Sequence, residues 1–202
     1  MIQQRDTSLP TSLINSLLFE TIKIEDGQIE NIEWHNRRCN RSRAKLFNAT
    51  KALELGKVIN PPQKGLYRCR ITYQKDINSI EYIPYTPKIF NRFTIVKSQI
   101  EYSYKYNNRE ELNKLKNGYD EIIIEKNGLL TDTSIANIAF YNGKEWVTPQ
   151  IPLLEGTVRA RLLDNNFLIP KNIRKDELQK FSHFALMNAM IGFQIQKKFN
   201  IN

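Results

Sequence analysis

One stretch of this sequence places an amine where it could act as a nucleophile. Lys105 lies among Tyr102, Tyr104 and Tyr106. Partial removal from water lowers the pKa of a lysine, and the neutral amine is the form that attacks a carbonyl carbon to give a Schiff base. The pattern therefore makes Lys105 a candidate nucleophile. A lysine among aromatic residues is also typical of an exposed side chain whose stem covers apolar surface, and that alternative stays open at this point.

A second stretch holds a carboxylate between two apolar segments. Asp132 stands among small hydroxyl residues, with Glu121 to Lys126 before it and Ile135 to Phe140 after it. We predict both segments as buried strands, so the carboxylate would be fixed at the edge of a rigid sheet. A carboxylate in that position can hold a proton on a heterocyclic nitrogen. The alternative is an ordinary polar turn stabilised by side-chain hydrogen bonds.

Two more segments are suited to bind an anion. Arg38 follows His35 in the first turns of a predicted helix, and a guanidinium has the permanent charge and fork geometry that suit a phosphate. Gly156 and Thr157 open another predicted helix, where free backbone N–H groups and the helix dipole attract negative charge. Either segment could instead be an exposed arginine or a helix start that binds nothing.

The elements that must position these residues form an α+β pattern. In the N-terminal half we expect an antiparallel sheet with helical cover, because Asp26-Gly27 between alternating apolar runs predicts a hairpin. The expected elements of this half are the hairpin within Leu17 to Ile32, a helix from Trp34 to Leu55 that is interrupted near Asn48 and ended by Gly56, and strands at Leu66 to Tyr73 and Ile80 to Tyr85.

A domain boundary is predicted near residues 84–92, where Pro84 and Pro87 punctuate the chain. We therefore expect an N-terminal α/β domain at residues 1–86 and a C-terminal domain at residues 90–202. The expected elements of the second domain are strands at Phe93 to Ile100, Glu121 to Lys126, Ile135 to Phe140 and Trp146-Val147, helices at Arg109 to Asn117, Gly156 to Asp164 and Asp176 to Phe181, and a buried apolar segment at Phe184 to Gln194.

Composition narrows the class of protein. The 202 residues are 41% apolar and 25% charged, which is typical of a folded globular chain, and no apolar run is long enough to span a bilayer. The N-terminus MIQQRDTSLP lacks the pattern of a signal peptide, so we expect a cytoplasmic protein. Cys39 and Cys69 form neither a disulfide framework nor a metal-binding pattern.

Charge is the unusual bulk property, since the formal net charge is +9. Such an excess suits an anionic partner, which could be nucleic acid, a membrane surface or a small phosphorylated or carboxylated ligand. A nucleic-acid-binding module would leave Lys105, Asp132 and Gly156-Thr157 without a role, and no recognisable nucleic-acid motif accompanies the basic residues. We therefore expect a small anionic ligand and neither nucleic acid nor membrane as partner.

The order and combination of the segments resemble the class IV aminotransferase family, the pyridoxal phosphate (PLP) enzymes of fold type IV. The resemblance covers about residues 18–195, and residues 120–159 are its most specific part. The matching motifs are Phe19-Glu20-Thr21 with Asp26-Gly27 and His35-x-x-Arg38, then Lys105-x-x-Asn108-Arg109, then Asp120-Glu121 with Gly128-x-Leu130-Thr131-Asp132 and Asn137-Ile138, and finally Thr148-Pro149 with Leu154-x-Gly156-x-x-Arg159.

The resemblance implies a role for each matching residue. Lys105 would form the Schiff base with PLP and shuttle the proton, and Asp132 would pair with the pyridine nitrogen, where the family usually has Glu. The remaining implied contacts are Arg38, the Gly156-Thr157-Val158 backbone and the Thr157 hydroxyl on the phosphate, Asn188 on the phosphate or active site, and Thr21 and Arg109 on the substrate. It also implies a small N-terminal α/β sandwich, a C-terminal barrel-like domain and a homodimer.

Two reactions of the family fit the sequence. The first is cleavage of 4-amino-4-deoxychorismate to 4-aminobenzoate and pyruvate, a step of folate biosynthesis. Arg109 after Asn108 and the segment Met187-Asn188-Ala189 resemble the lyases that catalyse it, and the surplus of arginines suits a substrate with two carboxylates. The second is transamination by a branched-chain or D-amino-acid aminotransferase.

Overall fold

The structure of the protein is a computed structural model that describes residues 17–90, 92–196 and 200–201. The predictions made on residues 1–16, which include the N-terminal segment and the start of the first expected domain, lie outside the described residues.

The N-terminal sheet is antiparallel, as predicted, with the strand order β2-β1-β3-β4. Its strands are β1 (Leu18–Glu25), β2 (Gln28–Ile29), β3 (Leu66–Tyr73) and β4 (Ile77–Pro84). The hairpin predicted at Asp26-Gly27 is confirmed: Glu25 pairs with Gln28, and both turn residues have a positive φ, 46° and 82°. Two consecutive positive φ angles define the turn type that matches the twist of the strands.

The helix that covers this sheet stops near Asn48, where an interruption was predicted, and does not resume as one helix up to Leu55. Helix α1 (Ile32–Phe47) ends at Asn48, whose left-handed backbone conformation (φ 51°) stops the helix. The prediction that Gly56 ends the helix was wrong, because Gly56 lies inside a separate single-turn helix, α2 (Leu55–Val58). Asparagine, like glycine, can take the left-handed conformation that ends a helix.

The second sheet has nine strands in the described part of the chain and mixes parallel with antiparallel pairs. Its strands are β5 (Arg92–Lys97), β6 (Glu121–Lys126), β7 (Leu129–Thr133), β8 (Asn137–Tyr141), β9 (Trp146–Pro149), β10 (Leu168–Lys171), β11 (His183–Asn188), β12 (Gly192–Ile195) and β13 (Asn200–Ile201). The accompanying helices are α3 (Glu110–Lys116), α4 (Thr157–Asp164) and a 3₁₀ helix at Lys175–Lys180.

Some expectations for this half need correction. The segment predicted as one buried stretch, residues 184–194, is a hairpin of β11 and β12, and Gln194 in β12 is exposed. The helix predicted at residues 176–181 is the 3₁₀ helix. Strands β7 and β10 were not predicted, because β7 carries polar residues that are buried by the sheet and β10 is too short to show a pattern.

One apolar cluster joins the two sheets. It contains Leu18 and Ile22 of β1 together with Ile122 and Ile124 of β6, all fully buried. The passage from β4 to β5 falls at the predicted domain boundary, while this part of the core is shared across it. The two-domain division therefore stays a prediction. No helix among the described residues has the length and apolar character needed to cross a bilayer.

Candidate active site

A cavity of about 460 Å³ brings most of the predicted site residues together. Strands β1, β3, β7, β8 and β11 all contribute lining residues. Eight of the nine predicted residues line it: Thr21, Arg38, Lys105, Arg109, Asp132, Gly156, Thr157 and Asn188. The side chain of Val158 lies elsewhere, packed in an apolar cluster with Ala139 and Met187. A cavity of this size suits a small organic ligand.

Lys105 lies in an irregular segment that strand β1 holds in place. Its carbonyl accepts a hydrogen bond from Phe19 N at 3.0 Å, and Asn107 N donates to Leu17 O at 2.7 Å. The Lys105 ammonium stands 4.6 Å from the centroid of the Phe19 ring. Burial and the charge of nearby Arg38 lower the pKa of Lys105 to about 7. The side chain therefore supplies the neutral amine that a nucleophile requires near neutral pH.

Asp132 is buried where β7 meets β8, opposite Asn137. Its Oδ1 accepts a hydrogen bond from Asn137 Nδ2 at 2.7 Å, and its Oδ2 accepts one from Leu154 N at 2.8 Å. Burial raises the pKa of Asp132 to about 6, against these hydrogen bonds, which lower it. Each carboxylate oxygen keeps a further lone pair, so the carboxylate can still accept a proton-bearing nitrogen.

Arg38 is held by a buried acidic partner. Its Nε donates to Glu20 Oε1 at 2.9 Å and its Nη2 to Glu20 Oε2 at 2.5 Å, while His35 Nδ1 is 2.5 Å from the same Oε2. Burial would raise the pKa of Glu20, but the charge of Arg38 and the contact with His35 outweigh it and lower the pKa to about 2. The Nη1 of Arg38 reaches Glu155 O at 3.3 Å, beside the start of α4.

The start of α4 lies so close to the Asn137 side chain that only glycine fits at position 156. A Cβ atom on Gly156 would lie 1.9 Å from Asn137 Oδ1, which is far inside van der Waals contact. Gly156 caps the helix without a side-chain hydrogen bond, so the first backbone N–H groups of α4 have no side-chain cap. Thr157 is buried beside them, with its Oγ1 3.4 Å from His35 Nε2. This arrangement can bind an anion.

The remaining predicted residues have additional structural roles. Arg109 Nη2 donates to Ser134 O at 2.6 Å, and its guanidinium stands 5.8 Å from the Tyr102 ring centroid. Asn188 Oδ1 accepts from Met190 N at 2.9 Å and so closes the turn after β11, while its Nδ2 is 3.4 Å from Ile135 O. The contacts that the resemblance implies for these side chains stay predictions.

The sequence reasoning missed several residues of this site. Phe19 and Glu20 were quoted only as part of a motif, and Arg68, Arg70 and Asn137 were given no role, although four of these five line the cavity. The alternation of β3 could have indicated the two arginines, because Arg68 and Arg70 share the face opposite the buried Cys69, Ile71 and Tyr73.

The site combines three features that one ligand could use. Arg38, Thr157 and the N-terminus of α4 suit a phosphate, Lys105 suits a carbonyl carbon, and Asp132 suits a protonated ring nitrogen. Pyridoxal phosphate carries all three groups. The buried carboxylate of Asp132 and the start of α4, which has no side-chain cap, are structural features that fit such a ligand.

Comparison with known proteins agrees with this chemistry. Residues 101–198 match the family model described as amino-transferase class IV. An uncharacterized protein of Haemophilus influenzae is 40% identical over an alignment of 184 positions, which covers 87% of this chain and 98% of that protein.

Solved structures give the same family. A crystal structure from Haemophilus somnus, provisionally named 4-amino-4-deoxychorismate lyase, is 38% identical, with a TM-score of 0.80 over 88% of this chain and 98% of that one. The PLP-bound form of a hypothetical aminotransferase from Mycobacterium tuberculosis shares the fold at 14% identity, with a TM-score of 0.73 over 99% of this chain and 88% of that one. This chain therefore belongs to the class IV aminotransferase family, whose members are PLP-dependent enzymes.

Proposed function

We propose that this protein is a PLP-dependent lyase that converts 4-amino-4-deoxychorismate to 4-aminobenzoate and pyruvate. The observation that carries the proposal is a cavity in which a lysine of pKa about 7 stands among arginines suited to a dicarboxylate. The provisional name of the 38% identical Haemophilus somnus protein supports the same reaction.

Different residues of the cavity bind different parts of the cofactor. In this proposal Arg38, Thr157 and the backbone N–H groups at the start of α4, including that of Val158, hold the phosphate. Asp132 keeps a proton on the ring nitrogen, and Lys105 provides the covalent attachment. When bound, PLP supplies a sink for the electrons released from the substrate carbon that bears the amino group.

Lys105 is also the group that moves protons. With a pKa of about 7, its Nζ can accept the proton from the amine-bearing ring carbon and return a proton to the departing three-carbon group. The C–O bond to that group breaks, pyruvate leaves, and the ring becomes aromatic. Atoms balance without an oxidant, since the two products together have the composition of the substrate.

The proposal includes a homodimer. Ile89 and Ile135 line the cavity, yet they are 81% and 40% exposed. Large apolar side chains in such positions favour coverage by another protein surface. We therefore propose that a second copy of this chain packs near the cavity mouth, as the family resemblance implies. Sedimentation of an active monomer would contradict this part of the proposal.

The test is a product assay on purified protein supplied with PLP. We expect 4-aminobenzoate and pyruvate to form in equal amounts from 4-amino-4-deoxychorismate. The variant Lys105→Ala should lose both the yellow band of lysine-bound PLP and the products. Lys144→Ala, which changes an exposed lysine outside the cavity lining, should keep both.

The same assay separates the alternative reaction. If the protein instead transfers the amino group of D-alanine or of a branched-chain amino acid to a 2-oxo acid and forms no 4-aminobenzoate, the lyase proposal is wrong. The protein is then an aminotransferase of the same family.

A further inference from the structure

Strand β3 directs into the cavity two arginines to which the proposed binding of the cofactor gives no role. Arg68 and Arg70 lie two residues apart, so they share one face of the strand, and both line the cavity. Thr21 of β1 pairs with Arg70 across the sheet and lines the cavity as well. The two arginines therefore form part of a cavity wall.

Neither arginine has a salt bridge in the described part of the chain, although the carboxylate of Glu81, opposite Arg70 on β4, acts on Arg70 at longer range. Within residues 17–90, 92–196 and 200–201, no carboxylate lies within salt-bridge distance of Arg68 or Arg70, and the buried Nε of Arg68 has no hydrogen-bond partner. Arg70 stacks on the Phe19 ring, with its Cζ 3.9 Å from the ring centroid, and donates to Asn107 Oδ1. Arg38, by contrast, is paired with Glu20.

The acids that line the cavity already have partners. Seven basic and two acidic side chains line the cavity in the described part of the chain. Of the two acids, Glu121 accepts from Ser134 N at 2.9 Å and stands 3.4 Å from Lys116 Nζ, and Asp132 is held by Asn137 and Leu154. Burial and the neighbouring charges of Arg68 and Arg109 lower the pKa of Arg70, and the charge of Glu81 offsets this only in part. An anion beside Arg70 would relieve this repulsion.

We propose that Arg70, supported by Arg68, binds a substrate carboxylate that is distant from the reacting amino group, and thereby selects dicarboxylates. Arg70 and Lys105 both contact the Phe19 ring, so the carboxylate would be bound on the substrate held at Lys105. A guanidinium on a rigid strand can bind a carboxylate through two parallel hydrogen bonds. A monocarboxylate substrate whose single carboxylate is held near Arg109 would leave Arg70 without this contact. The inference rests on the proposed function for the position of the substrate.

The test measures ligand preference separately from turnover. Isophthalate and benzoate differ by one carboxylate and carry no amine, so their binding to the PLP-loaded protein can be measured by calorimetry without reaction. We expect wild type to prefer isophthalate, and Arg70→Met to reduce that preference by about tenfold to a hundredfold, the usual effect of losing a charged hydrogen-bonded contact. Arg70→Lys should restore it in part, because charge returns without the fork.

Lys23→Met is the matched control. Lys23 stands opposite Arg68 in the sheet and pairs with Glu25, but it does not line the cavity, so its loss should leave the preference unchanged. For 4-amino-4-deoxychorismate we expect Arg70→Met to raise KM by a similar factor with a smaller change in kcat. The absorption band of bound PLP and the unfolding temperature show whether each variant is folded.

The outcomes distinguish this inference from the proposed function. If no 4-aminobenzoate forms but the preference for isophthalate depends on Arg70, the lyase reaction is wrong and the carboxylate site stands. If 4-aminobenzoate forms and folded Arg70→Met keeps both the preference and the KM of wild type, the lyase stands and the carboxylate site is wrong. Absence of any preference in wild type, together with an unchanged KM in the variant, also overturns the site.

Discussion

Replacing Gly156 by alanine tests how tightly the site is assembled. The added Cβ would lie 1.9 Å from Asn137 Oδ1, so the Asn137 amide must move. That amide donates to Asp132 Oδ1 at 2.7 Å and to Leu154 O at 2.8 Å. The backbone at Gly156, with φ −73° and ψ 147°, is one that alanine adopts freely. The expected cost is therefore steric and local.

The magnitude follows from the bonds that the shift breaks. A buried hydrogen bond to a carboxylate contributes about 1.5–3 kcal/mol and one between neutral groups about 1 kcal/mol. Alanine regains up to about 1 kcal/mol, because it restricts the unfolded chain. We expect Gly156→Ala to lower the free energy of unfolding by about 2–3 kcal/mol at pH 7.5, which corresponds to about 4–12 °C in Tm for a chain of this size.

Denaturation of the apo-protein is the assay, and two further variants make it specific. Gly56→Ala is the matched control, since a Cβ there would meet Ile32 Cγ1 at 3.4 Å, an ordinary contact, inside the short helix α2. It should be neutral or slightly stabilising. In an Asn137→Ala background the space at Gly156 is free, so Gly156→Ala should lose most of its cost. An equal cost in both backgrounds, or no cost in wild type, would refute the reasoning.

Two other predictions concern charge. Because only the neutral amine attacks a carbonyl, the rate at which the apo-protein forms its Schiff base with PLP should rise with pH around a midpoint near 7, the pKa of Lys105, and a midpoint above 9 would contradict its burial. Glu20→Gln leaves the buried Arg38 without its counter-charge and should cost about 3–5 kcal/mol in denaturation, whereas Glu111→Gln, at an exposed position, should cost little. Since the pKa of Glu20 is lowered from 4.5 to about 2, the stability it contributes is present above pH 4.5 and is lost as the pH falls toward 2, so the gap between wild type and Glu20→Gln should narrow there.

Local sequence signals predicted the turns and several strands well. Asp26 and Gly27 have φ angles of 46° and 82°, as the predicted hairpin turn requires, and β6 has the predicted bounds. These features depend on a few adjacent residues, which is why a single sequence contains them. The position at which α1 ends depends on whether Asn48 or Gly56 takes the left-handed conformation. Both residue types can take it, so the sequence pattern alone does not determine the end of the helix.

The electrostatics of the site could not be predicted in the same way. The pair of Glu20 and Arg38 joins residues 18 positions apart through the packing of α1 on β1. Its existence depends on which face of each element is buried. Burial raises the pKa of both buried carboxylates, but the charge of Arg38 and the contact with His35 lower that of Glu20 to about 2, whereas Asp132 has a pKa of about 6. The motifs therefore indicated which residues to examine, while the structure was needed to show which charges are paired.

The position of Lys105 shows how closely the two halves of the chain depend on each other. Leu18 bridges to Tyr106, and backbone hydrogen bonds join Lys105 to Phe19 and Asn107 to Leu17. The lysine lies after the predicted boundary near residues 84–92, yet β1, before that boundary, fixes its backbone, and the Phe19 ring contacts its amine. Any motion of the N-terminal sheet relative to the second sheet would thus carry the Lys105 segment with it or break these hydrogen bonds. Because β1 is hydrogen-bonded both to the Lys105 segment and to β3, it holds the Lys105 amine and Arg70 at a defined separation, which the proposed carboxylate site requires.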